Sequence, residues 1–237
     1  MEEDPTIFSE RIEFETPDGP LPAFAAWPVH SLAQTPSVVV VMHLWGVDAS
    51  IRDVVLRFAN AGFAAIAPDL YGRFDAPNGD GSTDVGAFRP LAQRLERRQY
   101  GSDLVAAARL LSVKFPRTKT ALVGFCLGGR IALKCAADHG DIFAAVCPFY
   151  GTLSEVDPAE IRIPLCGSYG ELDTGIPSAG VRDFAARLSV PNDVRVYENA
   201  GHAFFDSRRA SYVEAAAEDA WTRTVEFLRA HLGEPTP

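Results

Sequence analysis

The segment 124–129, G-F-C-L-G-G, constrains the fold of this chain more than any other stretch. It follows an apolar run at residues 120–123 and precedes a helix-like segment that begins at Arg130. Glycines on both sides of Cys126 permit a sharp, strained turn from a strand into a helix, in which the central side chain stands clear of the backbone. Glycines in such a place can also serve helix packing alone. The pattern predicts a strand, a tight turn and a helix, with Cys126 as a candidate nucleophile.

Two residues downstream are candidate partners of this cysteine. Asp173 and His202 each follow a short apolar run, and they come after Cys126 in the order nucleophile, acid, histidine, with gaps of roughly fifty and thirty residues. Taken singly, an aspartate in a Gly-rich turn is usually a turn former, and a histidine after glycine is usually a loop residue. Their joint order predicts a hydrolase in which the Cys126 thiolate attacks, His202 acts as base and Asp173 orients the histidine.

Short apolar runs alternate with helical patterns along the chain, which predicts an α/β fold with a mostly parallel central sheet. We expect an N-terminal antiparallel hairpin at the sheet edge, followed by strands and helices in alternation. The predicted strands cover residues 10–15, 21–27, 38–43, 64–68, 120–123, 144–150, 163–169 and 194–197; the predicted helices cover 49–61, parts of 85–115, 126–139, 178–188 and 211–231. Right-handed crossovers would put helices on both faces of the sheet and ligands beyond the carboxyl ends of the strands.

Composition narrows the classes of protein that remain. The 237 residues are 47% hydrophobic and 22% charged, which suits one α/β domain over residues 1–237. The net charge of −9 argues against nucleic acid or an anionic membrane as a partner. The sequence starts at Met1 without a basic and apolar signal region, and no apolar run approaches the roughly twenty residues of a membrane span. We therefore expect a cytoplasmic protein.

The four cysteines of the chain lack the paired spacing of a zinc site or of a secreted disulfide framework. We expect Cys135, Cys147 and Cys166 to be inert thiols of the core, and Cys126 alone to be reactive. We expect neither a metal nor another cofactor.

Several motifs resemble those of the dienelactone hydrolase family, which are small, cysteine-dependent α/β-hydrolases. The resemblance spans nearly the whole chain and rests on V-V-V-V-M-H-L-W-G-V at 38–47, I-R-D at 51–53, A-G-F at 61–63, A-P-D-L-Y at 67–71, the cysteine segment at 124–129, Asp173 and A-G-H at 200–202. It implies the α/β-hydrolase fold and hydrolysis of a small lactone or carboxylic ester through an acyl-cysteine. We expect a small-molecule substrate and a monomer or homodimer.

The resemblance also implies an oxyanion hole formed by the backbone N–H groups of Leu44 and Leu127. His43 stands where the family usually has a glutamate that helps to activate the thiol. Two interpretations stay open: His43 forms a thiolate–imidazolium pair with Cys126, or it shapes the oxyanion loop.

The residues for substrate binding also depart from the family. Asp206 stands where a substrate-binding arginine is expected, so we expect neutral esters to be preferred over anions. Arg208, Arg209 or arginines within 89–98 are alternative anion contacts, although surface positions are commoner for them. Aromatic residues that are candidates for an apolar pocket are Trp45, Tyr71, Phe149, Tyr150, Phe204 and Phe205.

The Gly- and Asp-rich segment 72–86 is too long for an ordinary connection, so it is a candidate for shaping the substrate entrance. Two other functions fit the same sequence. An acyl-cysteine can pass its acyl group to acceptors other than water, so a carbon–carbon lyase or acyl transferase is an alternative. A non-catalytic binding protein would keep segment 124–129 for packing alone.

Overall fold

One mixed sheet of eight strands runs through the protein, of which this computed structural model describes residues 6–30, 33–116 and 118–233. Its order is β1-β2-β4-β3-β5-β6-β7-β8; β1 and β2 pair antiparallel, β2 pairs antiparallel to β4, and β3 to β8 are parallel. The strands are β1 Ile7–Phe14, β2 Leu21–Pro28, β3 Ser37–Val41, β4 Ala64–Pro68, β5 Thr120–Phe125, β6 Phe143–Phe149, β7 Leu165–Gly170 and β8 Asn192–Tyr197. The predicted α/β-hydrolase fold and its N-terminal hairpin are confirmed.

The described residues form six α-helices: α1 Ala49–Asn60, α2 Val85–Arg94, α3 Arg97–Lys114, α4 Leu127–Asp138, α5 Ser178–Arg187 and α6 Glu214–Leu232. The chain moves from β3 to β4 in one direction and from β5 to β6 in the other, so right-handed crossovers put α1 and α4 on opposite faces. Phe58 of α1 packs on Trp221 of α6 with ring centroids 4.7 Å apart, which places α6 beside α1. Helices therefore lie on both faces, as predicted.

The central strands show why the sheet could be predicted from the sequence. Every residue of β3, β4 and β5 is buried, because both of their faces are covered. The edge strand β1 begins at Ile7, three residues before the predicted start. The carboxyl ends of β3, β5, β6 and β7 meet at one edge, where the candidate site lies.

No helix among the described residues is long and apolar enough to cross a membrane. The single domain over residues 1–237 stays a prediction, and its ends at 1–5 and 234–237 lie outside the described residues.

Candidate active site

The turn at Cys126 joins β5 to α4 in a conformation that few side chains adopt. Cys126 has φ 54° and ψ −113°, and a positive φ of this kind is strained for a non-glycine residue. A Cβ atom added at Gly128 would lie 2.2 Å from the Val41 carbonyl oxygen, and one added at Gly124 would lie 2.1 Å from the Gly128 carbonyl oxygen. Glycine at both positions therefore lets α4 start against β3 and lifts the thiol above the sheet edge.

The three residues predicted as a catalytic set lie in one hydrogen-bonded line. The Cys126 Sγ atom is 3.0 Å from His202 Nε2, and His202 Nδ1 is 2.7 Å from Asp173 Oδ2. The second carboxylate oxygen, Asp173 Oδ1, accepts a 2.9 Å hydrogen bond from the Gly175 N–H group, which fixes the carboxylate in its turn. Asp173 is buried, Cys126 is half-buried and the His202 side chain is open to solvent on one side.

The charges in this line support one another. Burial opposes ionisation of Asp173, but the hydrogen bond and charge of His202, with the N–H groups of Gly175 and Ile176, hold the pKa of its carboxyl below the ordinary value. Burial also opposes the charge on His202, yet Asp173 and the Cys126 sulfur outweigh it and raise the pKa of His202 to about 10. At neutral pH the imidazole therefore carries a proton, which puts a positive charge 3.0 Å from the Cys126 sulfur.

The two residues expected to form an oxyanion hole lie at the start of α4 and in the loop after β3. Leu127 is the first residue of α4, so its N–H group has no carbonyl in a preceding helical turn to bond to. The helix N-terminus carries a partial positive charge beside the sulfur. Leu44 follows β3, and its carbonyl accepts a 3.1 Å hydrogen bond from the Tyr71 hydroxyl, which holds this loop in place. The roles of both leucines stay a prediction.

His43 makes its contacts away from the thiol. Its Nε2 atom lies 2.9 Å from Ser50 Oγ and 3.1 Å from Asp48 Oδ1, and its Nδ1 atom accepts a 3.2 Å hydrogen bond from the Trp45 N–H group. Both ring nitrogens are thus engaged, and no hydrogen bond joins His43 to Cys126 in the described part of the chain. These contacts favour the loop-shaping interpretation over the thiolate–imidazolium pair.

The sequence analysis did not identify Asp48 and Ser50, the two residues that hold His43 at its Nε2 atom. Asp48 is the N-cap of α1, where its Oδ1 atom accepts hydrogen bonds from the Ser50 and Ile51 N–H groups. Burial opposes its charge, but His43 and these donors keep the pKa of Asp48 below its ordinary value. An aspartate directly before a helical pattern is a typical N-cap, and that signal could have identified Asp48.

Asp206 and Arg208 line a cavity of about 100 Å³ at this edge, but each already has a partner. Asp206 accepts hydrogen bonds from the Arg208 N–H group at 3.0 Å and from Arg209 Nε at 3.2 Å. The Arg208 guanidinium pairs with Asp53 of α1. Arg209 therefore compensates the carboxylate charge of Asp206. The expectation that Asp206 repels an anionic substrate assumed an uncompensated charge, which the structure does not show.

The six candidate aromatic residues divide into three groups. Phe149 and Phe204 are fully buried and belong to the core, which corrects their expected place in a pocket wall. Tyr150 and Phe205 line the cavity with Asp206 and Arg208. Trp45 and Tyr71 line a separate polar cleft of about 350 Å³ beneath residues 76–80.

The segment 72–86 is tied to the rest of the molecule at several points. Asp80 accepts a hydrogen bond from the Ala49 N–H group and two from the Arg52 guanidinium. Arg209 donates a hydrogen bond to the Ser82 carbonyl and stacks over the Trp45 ring, 3.9 Å from its centroid. The segment therefore forms a wall beside the oxyanion loop.

No group of three or more histidine, cysteine or acidic residues is placed to hold a metal ion within residues 6–30, 33–116 and 118–233. The geometry instead suits nucleophilic chemistry by the Cys126 thiolate with an acid–base histidine.

Comparison with known proteins shows which proteins share this arrangement. Residues 21–232 match the model of the dienelactone hydrolase family. A "Putative carboxymethylenebutenolidase" of Escherichia coli O157:H7 is 35% identical over 229 residues, which cover 90% of this chain and 84% of that protein. A protein of the same name from Methylorubrum extorquens is 31% identical and covers 94% of this chain and 81% of its own.

A solved structure extends the likeness to three dimensions. The crystal structure of a "Putative Dienelactone Hydrolase" from Klebsiella pneumoniae superposes with a TM-score of 0.85 at 29% identity, over 94% of this chain and 99% of that one. With a family match that covers most of its length, the chain is a hydrolase that belongs to the dienelactone hydrolase family.

Proposed function

We propose that this protein hydrolyses small lactones or carboxylic esters through an acyl-cysteine intermediate on Cys126. The observation that carries the proposal is the line from Cys126 Sγ through His202 to Asp173, with distances of 3.0 Å and 2.7 Å. Membership of the dienelactone hydrolase family supports ester or lactone hydrolysis in general. The line of three residues supports the finer mechanism.

In the first half of the reaction, the Cys126 thiolate attacks the carbonyl carbon and forms a carbon–sulfur bond. The carbonyl oxygen becomes an oxyanion, which accepts hydrogen bonds from the Leu44 and Leu127 N–H groups. When the intermediate collapses, the bond to the alkoxy oxygen breaks and His202 gives its proton to this leaving group. The products are an acyl-cysteine and a free alcohol, which in a lactone stays attached to the acyl chain.

In the second half, His202 is neutral and removes a proton from water as the water oxygen attacks the thioester carbonyl. The carbon–sulfur bond then breaks, the acid leaves, and the imidazolium faces the thiolate again. Asp173 stabilises the imidazolium in both halves and keeps Nε2 directed at the sulfur, because it holds Nδ1. One water is consumed for each ester bond.

The substrate in this proposal is a small molecule, and neither nucleic acid nor a membrane takes part. The net charge of −9 disfavours polyanionic partners. A cytoplasmic location and a monomeric or homodimeric state stay predictions.

The test uses the thiol itself. Stoichiometric iodoacetamide should modify Cys126 first and abolish turnover of an aryl ester, and Cys126→Ala should be inactive. Cys135→Ala is the matched control, because Cys135 is buried in the same helix, where burial raises the pKa of its thiol, and it should keep full activity. Activity that survives complete alkylation of Cys126 would contradict the proposal.

The same assay in ¹⁸O-labelled water separates hydrolysis from transfer. Hydrolysis puts one labelled oxygen into the acid product. Products that carry an added alcohol in place of labelled oxygen would support the acyl transferase alternative.

A further inference from the structure

Tyr150 lies at the same sheet edge as the nucleophile and has a strained backbone. It follows β6 with φ 38°, a value that an aromatic residue rarely adopts. Its N–H group donates a 2.8 Å hydrogen bond to the Ser168 carbonyl, which helps to hold this conformation. Strained residues of this kind concentrate at functional sites, where the surrounding structure enforces them.

The ring of Tyr150 forms part of the wall behind the catalytic histidine. Its centroid lies 5.1 Å from the His202 ring and 5.6 Å from the Phe204 ring. The side chain is almost completely buried, with 3% of the residue exposed. Burial raises the pKa of its phenol, and the nearby charges of Cys126 and Asp206 raise it further, so the hydroxyl keeps its proton.

That hydroxyl makes no hydrogen bond to any residue that the structure describes, although a buried polar group normally finds a partner. Tyr150 lines a cavity of about 100 Å³ together with Phe125, Phe205 and Asp206. Phe125 immediately precedes Cys126, so the cavity begins one residue from the nucleophile. A cavity of this size holds a short chain of a few non-hydrogen atoms.

Several polar groups of this cavity are already engaged. Asp206 is bonded to Arg209, Arg208 is paired with Asp53, and both ring nitrogens of His43 have partners. Arg57, whose guanidinium lies over the Phe205 ring, and Ser207 also line the cavity, so a ligand group that enters can meet the donors of Tyr150, Arg57 and Ser207.

We propose that Tyr150 determines specificity by donating a hydrogen bond to an oxygen atom of the substrate's acyl group. The substrate class is short esters or lactones that carry an ether, hydroxyl or keto oxygen close to the scissile carbonyl. This inference rests on the proposed function, because the acyl group enters the cavity from Cys126. A site that is built to bond a substrate oxygen discriminates against the analogue without it, since the donor is then left unpaired.

The test compares two substrates that differ by one atom, 4-nitrophenyl methoxyacetate and 4-nitrophenyl butanoate. The ratio of their kcat/KM values, methoxyacetate over butanoate, is measured in the wild type and in Tyr150→Phe. The two esters differ in intrinsic reactivity by the same factor for both enzymes, so this factor cancels when the two ratios are compared. The ratio should fall roughly fivefold to tenfold in Tyr150→Phe. An unchanged ratio would overturn the inference.

Tyr169→Phe is the matched control, because the Tyr169 hydroxyl is also buried without a partner but belongs to no part of the proposed mechanism. Its ratio should equal that of the wild type. The melting temperature of each variant shows that it is folded.

A binding measurement keeps the inference separate from the proposed function and from the folding of Tyr150→Phe. In Cys126→Ala, which cannot form the acyl-enzyme, calorimetry should show tighter binding of ethyl methoxyacetate than of ethyl butanoate. Equal or weaker binding of the methoxyacetate overturns the role of Tyr150. If the wild type turns over neither ester through Cys126, the proposed function fails, and this binding comparison still decides the role of Tyr150.

Discussion

At the scale of single residues, the raised pKa of His202 matters most for the chemistry of the site. Its two ring nitrogens join a carboxylate to a thiol, and both partners favour the protonated ring over the effect of burial. In the proposed mechanism, the imidazolium of His202 therefore faces the Cys126 sulfur before substrate arrives. This differs from a serine hydrolase, in which the neutral histidine must first remove a proton.

The pH dependence of kcat/KM follows from this state. Because the pKa of His202 is raised to about 10, the imidazolium that protonates the leaving group persists at neutral pH and disappears as the pH rises through about 10. We expect kcat/KM for an aryl ester to change little around neutral pH and to fall above that value. A stopped-flow profile of acylation measures it. A rate that instead climbs through about pH 6.5, the value of a free imidazole, would show that the neutral ring acts in acylation.

His43 depends on Asp48, so removal of that carboxylate should affect the oxyanion loop. Asp48→Ala removes an N-cap and a partner of His43, and it should cost about 1 kcal/mol of stability and lower kcat/KM by roughly tenfold or more. Asp84→Ala is the control, since Asp84 caps α2 through the Ala87 N–H group and has no contact with His43. Asp84→Ala should lose stability but keep the wild-type kcat/KM. Equal kcat/KM values in the two variants would show that the contact between Asp48 and His43 does not affect catalysis.

The sequence was sufficient to predict that Cys126, Asp173 and His202 lie together, because their order and the glycines around them reflect backbone requirements. The sequence was not sufficient to predict the contacts of His43 or Asp206, which depend on where a side chain turns after the strand ends. His43 turns toward Asp48, and Asp206 turns back to Arg209 in its own loop. Such choices are settled by partners distant in space or by loop geometry, and residue spacing does not record them.

At the scale of elements, α4 starts in close contact with the backbone of the sheet. The helix begins against the carbonyls of Val41 and Met42, which a Cβ atom at Gly128 would approach to 2.2 Å and 2.4 Å. Those oxygens belong to backbone in the centre of the sheet, so neither side can move easily. The Cys126 thiol is therefore positioned by a contact between backbones.

Gly128→Ala should consequently destabilise the fold by at least about 2 kcal/mol in denaturant unfolding, since backbone must shift to admit the methyl group. Gly180→Ala is the matched control: Gly180 lies in α5 with nothing within 4 Å of an added Cβ. Alanine there should stabilise the protein by about 0.5–1 kcal/mol, because it favours the helix. Similar unfolding free energies for the two variants would contradict the tight contact.

Elements buried on both faces were predicted with nearly correct bounds, because a continuous apolar run has few other interpretations. The pattern at 85–115 did not show where it divides into α2 and α3. Pro90 lies inside α2, while the break falls at Leu95, whose extended backbone begins the turn into α3. Leu95 is an ordinary helix former, so propensity does not mark it as an end.

At the scale of the whole molecule, the site is walled by a segment that belongs to no strand or helix. Residues 72–84 cross the catalytic edge before α2 begins, and Asp80 fastens them to α1 through Ala49 and Arg52. The hydrolase thus closes its polar cleft with a segment whose attachment depends on a few hydrogen bonds.

Asp80→Ala should loosen this segment and speed its cleavage in limited proteolysis by up to about fivefold, the effect of losing one exposed ion pair. Asp75→Ala is the control within the same segment, since Asp75 forms no ion pair in the described structure. Its cleavage rate should match the wild type. If both variants are cleaved at the wild-type rate, other contacts hold the segment.

The burial of three cysteines has a practical consequence for anyone who handles the protein. Cys135, Cys147 and Cys166 are inaccessible, so air oxidation reaches the molecule through Cys126. An ageing sample should then lose turnover while it keeps its melting temperature, and total protein concentration will overstate the active fraction. A chromogenic disulfide reagent should count that fraction directly: one fast thiol for each fresh folded chain, and four after unfolding.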